Sequence, residues 1–184
     1  MIITISGVPS SGKSTIAKRL SASLGWPRYS VGDIMKEMAG SKHINQFYKE
    51  LEDNPSLERK IDLRQKEWGE ADDDFIIEGR TSFYFMPSEK SFNVFFNLNF
   101  EEAARRAYNR SEHEDKGKRY ESLDAALHDV YERMKIENER YKSLYGFDHL
   151  DMKNYDYIVD ASLSPDKVYD ALYARVLKEI ETRK

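Results

Sequence analysis

Short apolar runs alternate along the chain with longer stretches whose apolar residues recur every three to four positions. Ile2–Ser6 is rich in β-branched residues and closes at Gly7, which predicts a buried strand. Lys13–Leu24 places Ile16, Ala17, Leu20 and Leu24 on one helical face, with Gly25 as a C-cap and Pro27 just beyond. Arg28–Ser30 reads as a short strand, Gly32–Ala39 as a helix ending at Gly40, and 44–53 and Pro55–Trp68 as two more helices. Asn54 is the expected N-cap of the second of these, with Pro55 at its first position. Strands are expected over Asp74–Glu78, Phe92–Phe96 and Tyr155–Asp160. Helices are expected over Phe100–Arg110, over Leu123–Tyr145 with apolar Leu127, Val130, Tyr131 and Met134, and over Ser164–Glu181. A charged break, Ser111–Arg119, separates the first two of these. Strand and helix in alternation indicate an α/β three-layer sandwich around a mostly parallel sheet. No internal repeat or linker-like stretch interrupts it, so one domain is expected over 1–184, with helical excursions at 40–70 and 105–122.

Composition narrows the function. A chain of 184 residues can bury about 70% of its unfolded surface without an external staple. Cysteine is absent, which removes disulfides, thiolate metal sites and cysteine nucleophiles. The balance of 29 basic and 33 acidic residues gives a net charge of −4, which disfavours a nucleic-acid binder dependent on backbone electrostatics. A small anionic ligand stays compatible, because a local pocket can be basic on an acidic protein. No apolar stretch approaches the roughly 18 residues of a membrane span, and the first residues carry no basic leader. A cytoplasmic monomer with neither membrane nor nucleic-acid partner is the expectation. His43, His113, His128 and His149 form no i,i+4 pair, so a histidine metal site is not expected.

The chemistry begins at Gly7-Val8-Pro9-Ser10-Ser11-Gly12-Lys13-Ser14, followed by Thr15, which matches the phosphate-binding pattern G-x-x-x-x-G-K-[ST] in full. A strand precedes it and an amphipathic helix follows. In that setting backbone N–H groups and a helix N-terminus face phosphate oxygens, Lys13 bridges the β and γ phosphates, and the Ser14 hydroxyl ligates Mg²⁺. The loop alone does not name a reaction. Neither N-K-x-D nor D-x-x-G is present, which removes the GTPase reading and leaves a small kinase using ATP.

Ligands of such sheets sit at the carboxyl ends of the strands. Glu78-Gly79-Arg80-Thr81 falls at one such end. Arg80 there suits a phosphate, since its planar fork binds bidentately. Glu78 is either a carboxylate that holds Mg²⁺ through water or a structural partner of Arg80. Arg133, Glu137 and Arg140 share a helical face, read either as a solvated surface with internal pairs or as part of the site. The segment 111–120, preceded by Arg105, Arg106 and Arg110, is either a closing loop or a solvated charge run.

These residues, together with Val31-Gly32-Asp33-Ile34-Met35-Lys36, Glu58-Arg59-Lys60-Ile61-Asp62-Leu63-Arg64-Gln65, Arg140-Tyr141-Lys142-Ser143-Leu144-Tyr145-Gly146 and Tyr155-Asp156-Tyr157-Ile158-Val159-Asp160, occur in an order that resembles the archaeal-type cytidylate kinases of the nucleoside monophosphate (NMP) kinase family. The resemblance implies a five-stranded parallel core of order 2-3-1-4-5, an NMP-binding helical insert over 40–70 and a lid over 105–122. The core is then 1–39, 71–104 and 123–184. It implies transfer of a phosphoryl group from ATP to CMP or dCMP with Mg²⁺. Carried over by position, Gly7–Thr15 hold ATP and Lys13, Arg80, Arg133 and Arg140 are catalytic. Lys36, Arg80 and either Arg59 or Arg64 hold the acceptor phosphate, and Glu137 orients Arg133 and Arg140. Arg106, Arg110 and Arg119 belong to the lid, and Asp33 lies near the metal with Glu78. Lys36 stands where the family usually carries arginine, and 81–87 is more aromatic than the family pattern. A kinase of another small acceptor is the alternative.

Overall fold

The computed structural model describes residues 1–40, 50–51, 54–113 and 119–183. Its centre is strand β1 (Ile2–Gly7), buried along its whole length. On one side β1 pairs in parallel with β3 (Phe75–Glu78), on the other with β4 (Ser91–Asn97). β2 (Arg28–Ser30) then adds to β3, and β5 (Tyr157–Asp160) to β4, giving the order 2-3-1-4-5. Strands covered on both faces need continuous apolar sequence, and Phe75, Phe92, Phe95, Phe96 and the isoleucines of β1 and β3 supply it. The register sets Ile5 level with Glu78 and Gly7 level with Phe96. The loops after β1 and β3 therefore leave the sheet side by side.

Helix α1 (Lys13–Leu24) buries Ile16, Ala17 and Leu20 and ends at Gly25, whose positive φ of 70° lets its N–H reach Ser21 O. Helix α2 spans Val31–Ala39 and α3 Pro55–Ala71. The helix expected over 44–53 lies outside the described residues apart from Glu50 and Leu51, which are helical. Asn54 sits at the N-cap of α3 but makes no capping bond; its side chain accepts from the Ser56 hydroxyl at 2.7 Å instead.

Several boundaries shift by one to three residues from the expected ones, and three of the shifts have a visible local cause. β3 starts at Phe75 because Asp74 adopts a left-handed φ of 60°. α5 runs on from Phe100 to His113, past the expected end at Arg110, since no breaker intervenes and Ser111 bonds back to Tyr108 O at 2.7 Å. Tyr155 lies ahead of β5, where its N–H closes the 3₁₀ turn Met152–Asn154 onto Met152 O. The aromatic run after Arg80 forms a short helix, α4 (Ser82–Phe85). Its rings pack against Tyr145, Phe147 and Tyr155.

α6 (Leu123–Tyr145) is capped by the Ser122 side chain, which accepts from Ala125 N, and ends at left-handed Gly146. It buries Ala126, Val130, Met134, Glu137 and Tyr141, an inward stripe that contains a carboxylate. Tyr131 is 52% exposed, so the apolar face is narrower than the sequence pattern suggests. α7 (Pro165–Thr182) closes the chain, with Ser164 as its N-cap and Pro165 in its first turn. Among the described residues no helix is long and apolar enough to cross a membrane.

Candidate active site

The loop after β1 is held open by its glycines. Gly7 has φ 136°, and a Cβ there would lie 2.4 Å from Phe96 O, so only glycine fits beside β4. Val8 N then bonds Phe96 O at 3.2 Å, tying the loop to the sheet. Gly12, at φ 85°, turns the chain into α1. Lys13 folds back over this loop, donating to Gly7 O at 3.0 Å, Val8 O at 2.6 Å and Ser11 Oγ at 3.3 Å. Burial pushes its pKa well below the usual lysine range, and Arg80 and Arg133 push it the same way. An anion placed between these three cations relieves that repulsion.

The carboxylate that organises the arginines is Glu137. Its Oε2 accepts from Arg80 Nε and its Oε1 from Arg133 Nε, the latter at 2.9 Å. Burial disfavours its charge, yet the two guanidinium groups outweigh burial and pull its pKa down to about 2. Arg80 also donates to Gly7 O at 3.3 Å, so it is fixed against the phosphate loop itself. The side chains of Arg80 and Arg140 keep only 12% and 16% of their surface exposed, which places them in the cleft and not on the outer face. Arg133 is more open, at 42%.

Arg140 departs from the expected pairing. Glu137 serves Arg80 and Arg133, whereas Arg140 Nε bonds Glu58 Oε1 on α3 at 3.1 Å. Glu137 takes Arg133, at i−4 on the same helix, while Arg140, at i+3, reaches across the cleft. Of the two readings of Glu78, the structural pairing with Arg80 is not formed: Glu78 pairs with Arg28, which the sequence pattern did not single out, and accepts from Ser14 Oγ at 2.5 Å. Arg28 also reaches Asp33 at 3.3 Å.

A cavity of about 290 Å³ lies over this cluster. Pro9, Ser10, Lys13, Ser14, Glu78, Arg80, Arg110, Arg133, Glu137 and Arg140 all border it. Arg110 enters from α5 and donates to Ser10 Oγ at 3.1 Å. Arg106 borders a second cavity of about 310 Å³ on the other side of the loop, with Ser11, Gly12, Thr15, Leu163 and Pro165. Arg59 and Arg64 are exposed and border neither cavity; Arg64 pairs with Glu67 at 3.6 Å. The inward residues of that helix are Glu58, Asp62 and Gln65, at spacings of four and three. Polar side chains interleaved with apolar Leu57 and Ile61 were the available sequence signal for them. Asp33 and Arg119 are exposed and border neither cavity. The side chain of Lys36 lies outside the described residues.

A strand, a glycine-rich phosphate loop and a helix, facing arginines from two later elements across a cleft, define a P-loop phosphotransferase of the small-kinase type. The cytidylate kinase-like family model matches residues 2–163, and the chain belongs to that family. The cytidylate kinase of Natronomonas pharaonis is 33% identical over 171 residues, covering 91% of this chain and 85% of that one. That of Methanopyrus kandleri is 32% identical over 190 residues, covering 96% and 93%. Among solved structures, shikimate kinase from Bacteroides thetaiotaomicron superposes with a TM-score of 0.67 at 16% identity, covering 98% of each chain. A gluconokinase from Sinorhizobium meliloti superposes at 0.61 with 15% identity, over 99% of this chain and 96% of that one. These two likenesses concern the fold.

Proposed function

We propose that the chain transfers the γ-phosphoryl group of ATP to CMP or dCMP, giving ADP and CDP or dCDP. The observation that carries this reading is the Arg80–Glu137–Arg133 cluster set against the phosphate loop, because it brings cations from both sides of the cleft to one point. The acceptor is a phosphate monoester, already anionic at neutral pH, so no general base is needed. Catalysis is then alignment and charge neutralisation. Lys13 bridges the β and γ phosphates. Arg80 and Arg140 hold the acceptor phosphate and Arg133 covers the group in flight, with Glu137 keeping Arg80 and Arg133 in place.

The triphosphate lies on Gly7–Thr15, and the second cavity takes the adenine, its apolar wall formed by Leu163 and Pro165 and its flat cation by Arg106. Residues 40–70 serve as the acceptor-binding insert and 105–122 as the lid, which delivers Arg110 to the loop. Ser14 Oγ and Glu78 Oε2 form an oxygen pair suited to a hard cation. Among the described residues no cluster of three or more His, Cys, Asp or Glu is placed to hold a metal. That donor set fits a Mg²⁺ that draws most of its ligands from phosphates and water, with Ser14 as direct ligand and Glu78 reaching it through water. When bound, Mg²⁺ neutralises charge on the β and γ phosphates.

Steady-state formation of ADP with CMP, dCMP, UMP, AMP and GMP tests the proposal. CMP and dCMP are expected to give the highest kcat/KM. Turnover of none of the five overturns it, and phosphorylation of a sugar or shikimate-like acceptor alone moves the chain to another kinase class.

A further inference from the structure

Glu78 is 5% exposed and stands at the end of β3, beside the phosphate loop. Both of its oxygens are engaged. Oε2 accepts from Ser14 Oγ at 2.5 Å, and Oε1 accepts from Arg28 Nη1. The β2–β3 register explains how Arg28 arrives there. Ser30 is level with Glu78 and Arg28 lies two residues earlier, so Arg28 and Ser30 project to the same face of the sheet. The other end of the guanidinium, Nη2, meets Asp33 Oδ2 at 3.3 Å in the first turn of α2. Ser30 Oγ accepts from Asp33 N at 3.2 Å, which fixes that turn against the strand. The Arg28 side chain keeps 19% of its surface exposed.

Position separates Arg28 from the arginines of the cleft. Arg80, Arg133 and Arg140 border the main cavity, as do Ser14, Ser30 and Glu78, whereas Arg28 and Asp33 do not. Arg28 therefore stands behind Glu78, outside the space open to phosphates, and its charge acts through that carboxylate. A buried carboxylate is costly unless a cation compensates it. Two sources of compensation compete at Glu78: a guanidinium from behind and a divalent cation from the cavity. With Arg28 in place, Glu78 and Asp33 together keep a single net negative charge. Without it both charges would stand uncompensated, and the affinity of an oxygen site for a hard cation rises with the charge of its ligands.

Resting on the reading of Ser14 and Glu78 as the metal side of the phosphate site, we infer that Arg28 suppresses divalent-cation binding in the absence of nucleotide. Arg28 is a positioning residue. It touches neither nucleotide nor metal, and it holds Glu78 with Oε2 on the Ser14 hydroxyl. It also offsets enough of the carboxylate's charge that a divalent cation is held there only when phosphate oxygens complete its ligands.

The test is Mn²⁺ binding followed by water-proton relaxation enhancement, with and without ATP, with thermal melting as the check on folding. The wild type is compared with Arg28→Met, Arg28→Lys and the double variant Arg28→Met/Glu78→Gln. The wild type should take up Mn²⁺ with ATP and show no saturable binding without it. Arg28→Met should bind Mn²⁺ without nucleotide at least about tenfold more tightly than the wild type, and Mn²⁺ alone should raise its Tm. Arg28→Lys keeps the charge and should behave as the wild type, while the double variant should lose the gained binding. Loss of packing alone lowers Tm but creates no metal site. A folded Arg28→Met protein that binds Mn²⁺ no more tightly than the wild type overturns the inference, and so does a gain that survives Glu78→Gln. If Arg28→Met does not fold, Arg28→Gln is read by the same two criteria. A wild type that binds Mn²⁺ as tightly without ATP as with it also overturns the inference. Should the chain fail to phosphorylate CMP while these Mn²⁺ results hold, the acceptor reading falls and the role of Arg28 stands. Should ATP fail to bring Mn²⁺ to the wild type, the metal side of the site and this inference fall together.

Discussion

Replacing Glu137 by glutamine keeps the shape of the side chain and removes the one charge between Arg80 and Arg133. Glu137 is 7% exposed, and its pKa of about 2 lies below the ordinary glutamate value of 4.5. That gap corresponds to roughly 3 kcal/mol of native-state stabilisation at neutral pH. The sign follows from the direction: a depressed carboxylate adds stability that is complete above the unfolded pKa near 4.5 and is lost as pH falls through about 2. The charges left behind also repel Lys13, and breaking a buried pair from one side costs about 3–5 kcal/mol in comparable cases. At pH 7 Glu137→Gln should therefore lose about 3 kcal/mol in urea unfolding, with Tm lower by roughly 6–12 °C. The difference should shrink as pH is lowered from 5 toward 2. A misplaced guanidinium further predicts a fall in kcat on the order of a hundredfold. ATP affinity should hold, because the loop and its cations persist. A variant within about 0.5 kcal/mol of the wild type at pH 7, or a deficit that does not change with pH, would refute the role given to Glu137.

Lys13→Ala should abolish turnover in the coupled assay while shifting Tm by only a few degrees, since most of the bonds it removes end on backbone carbonyls of the same loop. Gly7→Ala forces a methyl group to 2.4 Å from Phe96 O; the loop must leave the sheet edge, and ATP binding by calorimetry should be lost. Asp62 acts with the opposite sign to Glu137. Burial raises its pKa to about 6, so the folded state binds its proton more tightly than the unfolded chain and stability falls as pH rises from 4 to 6. Asp62→Asn should flatten that part of the Tm profile, and an unaltered slope would mean that another group titrates there.

The fold was legible because its determinants are local. Continuous apolar runs marked the strands, and Gly25 and Gly146 ended helices where their left-handed φ shows they must. The phosphate loop was equally readable, since backbone N–H groups need glycine at fixed spacing and the lysine follows at once. The partner of each arginine was a different matter. That Glu137 serves Arg80, 57 residues away, and that Arg140 turns to Glu58, 82 residues away, depends on how α3, β3 and α6 meet around the cleft. The i,i+4 spacing was right for Arg133 and silent on the other two. Arg59 and Arg64 were carried over by position from the family resemblance, but helix phase points Glu58, Asp62 and Gln65 inward in their place. Arg28 escaped notice because a charged residue in a three-residue strand carries no pattern of its own.

Helix α6, with 23 residues, is about 35 Å long and behaves mechanically as a rod. Its distal tip is pinned by the Tyr145 hydroxyl on Asp62, its middle bears both guanidinium groups, and its proximal tip follows directly on the segment that brings Arg110 to the mouth. A pivot of about 10° at the pinned tip would carry the opposite one through roughly 6 Å, with Arg140, Arg133 and the proximal end displaced progressively more. Through this one rod the position of Glu58 and Asp62 on α3 is tied to that of Arg133 beside Glu137.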